Sequence, residues 1–159
     1  MSPSSQPATS TRNQEFWLGV RQELPLQLGV APFGLVFGVL GLASGLTPLQ
    51  TIMLSSIIFG GASQVVFAQL WGAAVPAPVV GASVSVLDLR HVLYSASIAP
   101  YLRSLPLAWR IPLAYLLTDE AYAVTIHRLR NSPASPHQHY HLLGTGMTLW
   151  VCWQITTVT

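Results

Sequence analysis

The chain has 159 residues, of which 51% are hydrophobic and only 8% are charged, with a formal net charge of +2. Soluble domains carry about 25% charged residues, so this composition argues against a soluble domain and excludes an intrinsically disordered chain. The single cysteine excludes an internal disulfide bond. All seven basic residues are arginines. We therefore expect no nucleic-acid partner and, without any lysine, no P-loop nucleotide site.

The polar N-terminal residues 1–15 are rich in serine, proline and threonine, which is typical of a disordered leader. They lack the apolar core of a signal peptide. Residues 16–159 are predicted to form a transmembrane domain, entered through a short interfacial helix at Phe16–Glu23. No charge lies between Glu23 and Asp88. Because a membrane span needs about 20 apolar residues, this interval holds two spans and part of a third in the lipid bilayer.

The first predicted span, about Leu24–Gly45, carries Gly34, Gly38, Gly41 and Gly45 at intervals of three and four residues. This spacing places the four glycines on one helix face, where a second backbone can approach closely. The second span, about Leu49–Gly72, has two adjacent glycines, Gly60 and Gly61, followed by Ser63 and Gln64. We predict that the second helix unwinds there, with its freed backbone groups facing protein or a water-filled cavity.

The third and fourth spans, about Ala77–Tyr101 and Leu105–Ile126, both contain charged residues. A polar loop follows, and a fifth span begins near His141. The predicted fold is therefore an all-α, polytopic transmembrane helix bundle with about five spans, some of them discontinuous. The flanking arginines favour a cytoplasmic N-terminus, by four inside to two outside.

Charged side chains inside a membrane cost several kcal/mol, so their presence usually indicates function. On a helix, Asp88 shares a face with His91, and Arg90 shares a neighbouring face with Tyr94. Asp119 is spaced in the same way with Tyr122. The two clusters could converge on one cavity, or they could be structural ion pairs, Asp88 with Arg90 and Asp119 with Arg110.

A free amino acid needs a cationic or N–H-rich site for its carboxylate, an anionic site for its ammonium and an apolar wall. Broken helix ends with exposed glycine amides can supply the first of these. The candidate substrate-binding residues are Gly60, Gly61, Ser63, Gln64, Asp88, Arg90, His91, Tyr94, Asp119, Glu120 and Tyr122. We expect Arg90 to pair with the carboxylate or to act as a counter-ion, and Asp119 or Glu120 to pair with the ammonium or carry a proton. Gln64 would be a wall residue.

Four ordered segments, Pro32–Gly38, Phe59–Gln64, Asp88–Tyr94 and Leu117–Ala123, together resemble the AzlC family, also called YgaZ-like. The resemblance covers about Phe16 to Thr159. It implies the large subunit of a bacterial inner-membrane exporter of branched-chain amino acids such as valine, working with a small hydrophobic AzlD-like subunit. Because members of this family are longer, it also implies that the chain is the N-terminal part of a longer AzlC-like domain.

Two other functions are compatible with these residues. The polar residues could be interhelical contacts in a non-transporting scaffold or assembly subunit, or Ser63 with His91 could form an intramembrane serine hydrolase. Ser63 lacks the sequence context of a nucleophile, so we predict no enzyme. The alternating His137, His139 and His141 are interpreted as a solvated loop rather than a metal site, and we predict no cofactor. Because the chain has no P-loop, active export would take its energy from an ion gradient or from another subunit.

Overall fold

The computed structural model describes residues 10–131 and 135–159. The described residues contain eight α-helices and no strand. The helices are α1 (Arg12–Glu23), α2 (Gln27–Ala43), α3 (Pro48–Ile57), α4 (Gly61–Gly72), α5 (Ala77–Leu102), α6 (Leu107–Tyr115), α7 (Asp119–Asn131) and α8 (His139–Val158). The predicted all-α class is therefore confirmed.

The first two helices form one continuous rod, because α1 runs into α2 through a 3-10 turn at Leu24–Leu26. Pro25 lies at the start of this turn, where its missing N–H costs no hydrogen bond. The resulting helix, Arg12–Ala43, has 32 residues, and in the described part of the chain it is the one helix long and apolar enough to cross a membrane. The helix predicted at Phe16–Glu23 is present within α1, but it begins earlier, at Arg12, and continues through the turn into α2.

The predicted leader is too long at its C-terminal end. Residues 1–9 lie outside the described residues, but Arg12–Glu15 form the first turn of α1. Thr11 accepts a hydrogen bond from the Gln14 backbone N–H, and the Gln14 side chain accepts one from the Thr11 N–H. This capping box satisfies two amides that a helix start would otherwise leave unpaired. The helix can therefore begin within the polar segment.

Two of the predicted spans are interrupted helices. The second is broken between Ile57 and Gly61, where the glycine pair predicted an unwinding. The fourth, predicted as one helix, is broken between Tyr115 and Asp119. This second break places both acidic residues, Asp119 and Glu120, in the first turn of α7, where negative charge stabilises a helix. The helix predicted at about Ala77–Tyr101 is present as α5.

Helix α8 lies at the centre of the bundle, packed against α1, α2, α3, α6 and α7. Its closest approaches occur at glycines. A Cβ added to Gly19 of α1 would overlap the His141 carbonyl oxygen, and one added to Gly144 of α8 would overlap the Phe16 carbonyl oxygen. The two backbones therefore pack directly against each other.

Three of the four glycines on the predicted face of the first span pack closely against a neighbouring helix, but only Gly38 packs against its backbone. Gly34 contacts Thr156, Gly38 contacts the Thr157 backbone, and Gly41 contacts Thr51. Gly45 is different: it has a φ of +83° just after the end of α2, with nothing within 4 Å of an added Cβ. It ends the helix in the left-handed conformation that favours glycine, so it does not belong to the packing face.

Apolar side chains are abundant on the outside of the bundle. Large hydrophobic residues on α2 and α5 are half to almost fully exposed, among them Leu28, Val39, Val86 and Leu93. A buried apolar cluster (Ile98, Leu102, Leu113, Leu117, Ala121, Leu129 and Leu142) joins α5 to α6, α7 and α8. A smaller cluster joins Phe37, Ala68 and Trp153. Exposed apolar patches of this extent are typical of surfaces that face lipid or another protein.

Candidate functional site

The first helix break exposes backbone amides to a cavity. Gly60 is extended, with φ −155° and ψ 102°, and precedes α4 without a side-chain cap from the described residues. Gly60, Gly61 and Ala62 all line the cavity. The first N–H groups of a helix have no partner within it and carry partial positive charge, so this end of α4 can hold an anion.

The second helix break places acidic residues on the same cavity. Thr118, Asp119 and Glu120 line it at the start of α7. The two interrupted helices therefore begin at one place: α4 with uncapped amides and α7 with two carboxylates.

An ion pair joins α5 to α7 beside the cavity. Arg90 Nη1 lies 2.8 Å from Asp119 Oδ2, and the Tyr94 hydroxyl donates to Asp119 Oδ1 at 2.7 Å. Both Asp119 oxygens are thus engaged. Glu120, by contrast, makes no ion pair with any residue the structure describes. The alternative pairing of Arg90 with Asp88, and of Asp119 with Arg110, is wrong because Asp119 takes Arg90 across the helix interface.

A second polar group lies next to this ion pair. The Ser63 hydroxyl donates to Asp88 Oδ1, and His91 Nδ1 lies 3.6 Å from the same oxygen. Ser63 is fully buried, and its hydroxyl donates to a carboxylate rather than to a histidine. In the described structure Ser63 thus does not make the hydrogen bond to His91 on which the serine-hydrolase alternative depends.

The cavity encloses about 460 Å³, within the range of small-molecule sites. One side is apolar and the other polar. Three lining residues carry a buried polar atom that has no hydrogen-bond partner in residues 10–131 and 135–159: Arg90 Nε, His91 Nε2 and Thr118 Oγ1. The apolar lining consists of Val30, Phe33, Val36, Phe59, Ala62, Val65, Val66, Leu149 and Trp153.

Six of the candidate residues line this cavity: Gly60, Gly61, Arg90, His91, Asp119 and Glu120. Ser63, Asp88 and Tyr94 do not line it. The Tyr94 hydroxyl holds Asp119, while Ser63 donates to Asp88, which lies beside His91. Tyr122 is further away, with its ring stacked on Tyr94 at 4.5 Å and its hydroxyl donating to Ser97 at 2.9 Å.

Gln64 is not part of the cavity wall, contrary to its predicted role. It is fully buried, its Nε2 donates to the Ile58 carbonyl oxygen, and its Oε1 accepts from Trp153 Nε1 at 3.0 Å. It therefore adds a second donor to the Ile58 carbonyl oxygen, which already accepts from the Gly60 N–H at 2.9 Å, and so stabilises the first helix break. Thr118 and Trp153 line the cavity but were not among the predicted site residues, although Thr118 belongs to a segment that carries the family resemblance.

The three alternating histidines do not lie together on a solvated loop. His139 and His141 are buried at the start of α8, and His141 Nε2 lies 2.8 Å from Gln22 Oε1. Among the described residues, no group of three His, Cys, Asp or Glu side chains is placed to hold a metal ion.

Two further carboxylates, Glu15 and Glu23, are fully buried outside the cavity. Glu15 Oε1 forms an ion pair with Arg128 Nη2 at 2.5 Å, which joins α1 to α7. Glu23 Oε1 accepts a hydrogen bond from Gln27 Nε2 at 2.8 Å. These two sites differ because only Glu15 has a counter-charge among the described residues.

Comparison with known proteins identifies the family. The family model described as AzlC protein matches residues 25–159. The chain is 28% identical over 158 residues to the inner membrane protein YgaZ of Escherichia coli strain K12, a match that covers 99% of this chain and 63% of YgaZ. It is 30% identical over 125 residues to an uncharacterized membrane protein of Archaeoglobus fulgidus, a match that covers 76% of this chain and 53% of that protein.

The chain thus spans less than two thirds of the length of these two relatives. No solved structure matches it. Both relatives are named as membrane proteins, which agrees with the exposed apolar surface and with the interrupted helices around a polar cavity. The chain belongs to the AzlC family and is a membrane protein.

Proposed function

We propose that this chain is a subunit of an exporter of branched-chain amino acids such as valine. It would cross the bacterial inner membrane several times, with its N-terminus in the cytoplasm, and work with a small hydrophobic AzlD-like subunit. An ion gradient would drive export. The observation that carries the proposal is the cavity between the two helix breaks, since its three kinds of lining match the three parts of a branched-chain amino acid.

The apolar side of the cavity suits a branched aliphatic side chain. Val30 and Phe33 of α2 face it from one helix, and Leu149 and Trp153 of α8 from another. Burying one aliphatic side chain of this size contributes about 1.5–3 kcal/mol.

The start of α4 suits the substrate carboxylate. The amides of Gly61 and Ala62 lie in the first turn, where the helix dipole favours an anion. Arg90 lines the same cavity, but Asp119 neutralises its charge. We therefore assign the carboxylate to the backbone amides, with Arg90 Nε as an additional donor.

Glu120 suits the substrate ammonium. It lines the cavity and keeps its carboxylate free of ion pairs to the described residues, whereas Asp119 is held by Arg90 and Tyr94. A hydrogen bond between charged partners contributes about 1.5–3 kcal/mol, which is a factor of roughly ten to a hundred in affinity.

The test is valine binding and transport in proteoliposomes that contain the protein and its partner subunit. Glu120→Gln is expected to weaken valine binding by about tenfold or more. It should leave binding of 3-methylbutanoate, which lacks the ammonium, nearly unchanged. Arg130→Gln is the matched control, because Arg130 is an exposed charge at the other end of the same helix. Equal loss for both ligands would contradict the assignment of Glu120 to the ammonium.

The scaffold alternative predicts a different result. If the polar residues only join helices, no saturable valine binding will be measured with the unmodified protein. In that case Glu120→Gln will change thermal stability alone. Saturable binding that depends on Glu120 would exclude a purely structural role.

A further inference from the structure

Glu23 and Gln27 form a buried pair joined by a single hydrogen bond, which leaves one polar atom on each side chain unpaired among the described residues. They lie four residues apart, on one face of the continuous helix Arg12–Ala43. Gln27 Nε2 donates to Glu23 Oε1 at 2.8 Å. Glu23 Oε2 and Gln27 Oε1 are buried atoms without a hydrogen-bond partner in the described part of the chain. Both are acceptors when the carboxyl is ionised, so neither can pair with the other.

Among residues 10–131 and 135–159, no arginine or histidine forms an ion pair with Glu23, so no described cation offsets its charge when it is ionised. The titratable groups that face it from the helices packed against it are Glu120 on α7 and Cys152 on α8, and neither is a cation. An isolated buried carboxylate is very costly, and a second carboxylate nearby raises that cost. Glu15 shows the contrast within the same chain, because Arg128 offsets its charge.

We propose that Glu23 and Gln27 form a proton-binding site, in which a proton on Glu23 Oε2 is donated to Gln27 Oε1. The acid and the amide then pair through two reciprocal hydrogen bonds, and both unpaired atoms are satisfied by this one proton. A metal cation would need several more oxygen ligands than these two acceptors. The proton is therefore the ligand that the donor set fits.

The position of this site couples it to the cavity. Glu23, Gln27 and Val30 follow one another on the same helix face, and Val30 lines the cavity together with Glu120. A positive ammonium bound at Glu120 favours the ionised form of Glu23, and so releases its proton. By reciprocity, a proton on Glu23 weakens ammonium binding at Glu120. This coupling rests on the proposed function; it gives exchange of a proton for an amino acid.

Infrared difference spectroscopy of the reconstituted protein at neutral pH tests the proton site without requiring transport. The unmodified protein is expected to show the carbonyl stretch of a buried protonated carboxylic acid, and Glu23→Gln should remove this band. Glu15→Gln is the matched control and should leave it in place, because Glu15 is equally buried but paired with Arg128. Absence of a band that depends on Glu23 would overturn the proposal.

Two further measurements test the pair and its coupling. Gln27→Leu keeps the carboxyl but removes the amide, so the band should persist and shift to the higher frequency of a weakly hydrogen-bonded acid. An unchanged frequency would contradict the reciprocal pair. Addition of valine should reduce the band in the unmodified protein but not in Glu120→Gln. A band that depends on Glu23 but does not respond to valine would overturn the coupling while the proton site stands, and so separates the two proposals.

Discussion

Gly38 of α2 offers a direct test of the packing between α2 and α8. An alanine Cβ at this position would overlap the Thr157 carbonyl oxygen and lie 3.2 Å from the carbonyl carbon. These atoms belong to the backbone and cannot rotate away, so the two helices must separate. Overpacking costs about 1–3 kcal/mol, while alanine gains about 0.5–1 kcal/mol over glycine in a helix. We therefore expect Gly38→Ala to lower the free energy of unfolding by up to about 2.5 kcal/mol, and by about 1–3 kcal/mol relative to alanine at an unpacked position of the same helix.

Gly29→Ala is the matched control for this measurement. Gly29 lies on the same helix, is exposed, and has nothing within 4 Å of an added Cβ. Its substitution should leave the free energy of unfolding unchanged or raise it by up to about 1 kcal/mol. The measurement is equilibrium unfolding in mixed micelles, followed by tryptophan fluorescence. Equal stabilities of the two variants would refute the close packing of α2 on α8.

Two other substitutions test buried polar contacts by the same unfolding measurement. Trp153→Phe removes the donor to Gln64 Oε1 and should lower the free energy of unfolding by about 1–3 kcal/mol. Trp71→Phe is the control, and because its ring is half exposed it should lower that free energy much less. A similar decrease in both variants would contradict a stabilising role for the Trp153–Gln64 hydrogen bond. Arg128→Met leaves the Glu15 carboxylate buried without its partner and should cost about 3–5 kcal/mol. Adding Glu15→Gln to that variant should recover part of the loss, and no recovery would count against the ion pair.

The first helix break could be predicted from the sequence, and the second could not. Adjacent Gly60 and Gly61 are poor helix formers and mark their own interruption. The second break, at Leu116–Thr118, contains neither glycine nor proline. Its signal was the acidic pair that follows, which we interpreted as charge within a span rather than as the start of a helix. A divided span can therefore be recognised either by residues that break a helix, such as Gly60 and Gly61, or by residues that favour the start of one, such as Asp119 and Glu120.

Which charged residues form ion pairs with each other also could not be predicted from the sequence. Helix spacing pairs Asp88 with His91 and Arg90 with Tyr94, and the structural alternative pairs Arg90 with Asp88. In the structure Arg90 instead forms its ion pair with Asp119, because the break before α7 lets that helix begin beside the middle of α5. Gln64 shows the same limit. Its position in the broken segment was clear, but its contact with Trp153 joins residues from helices far apart in the chain.

The uncapped start of α4 affects how the binding site of such a protein can be located by mutagenesis, and how freely its sequence can change in evolution. If backbone amides hold the substrate carboxylate, replacement of side chains one at a time will leave that part of the site intact. An alanine scan would then report Glu120 and the aromatic wall and miss the anion site altogether. Replacing a single amide of the first turn by an ester would reveal it. The same property lets the surrounding sequence diverge freely, provided that the chain keeps its turn at Gly60.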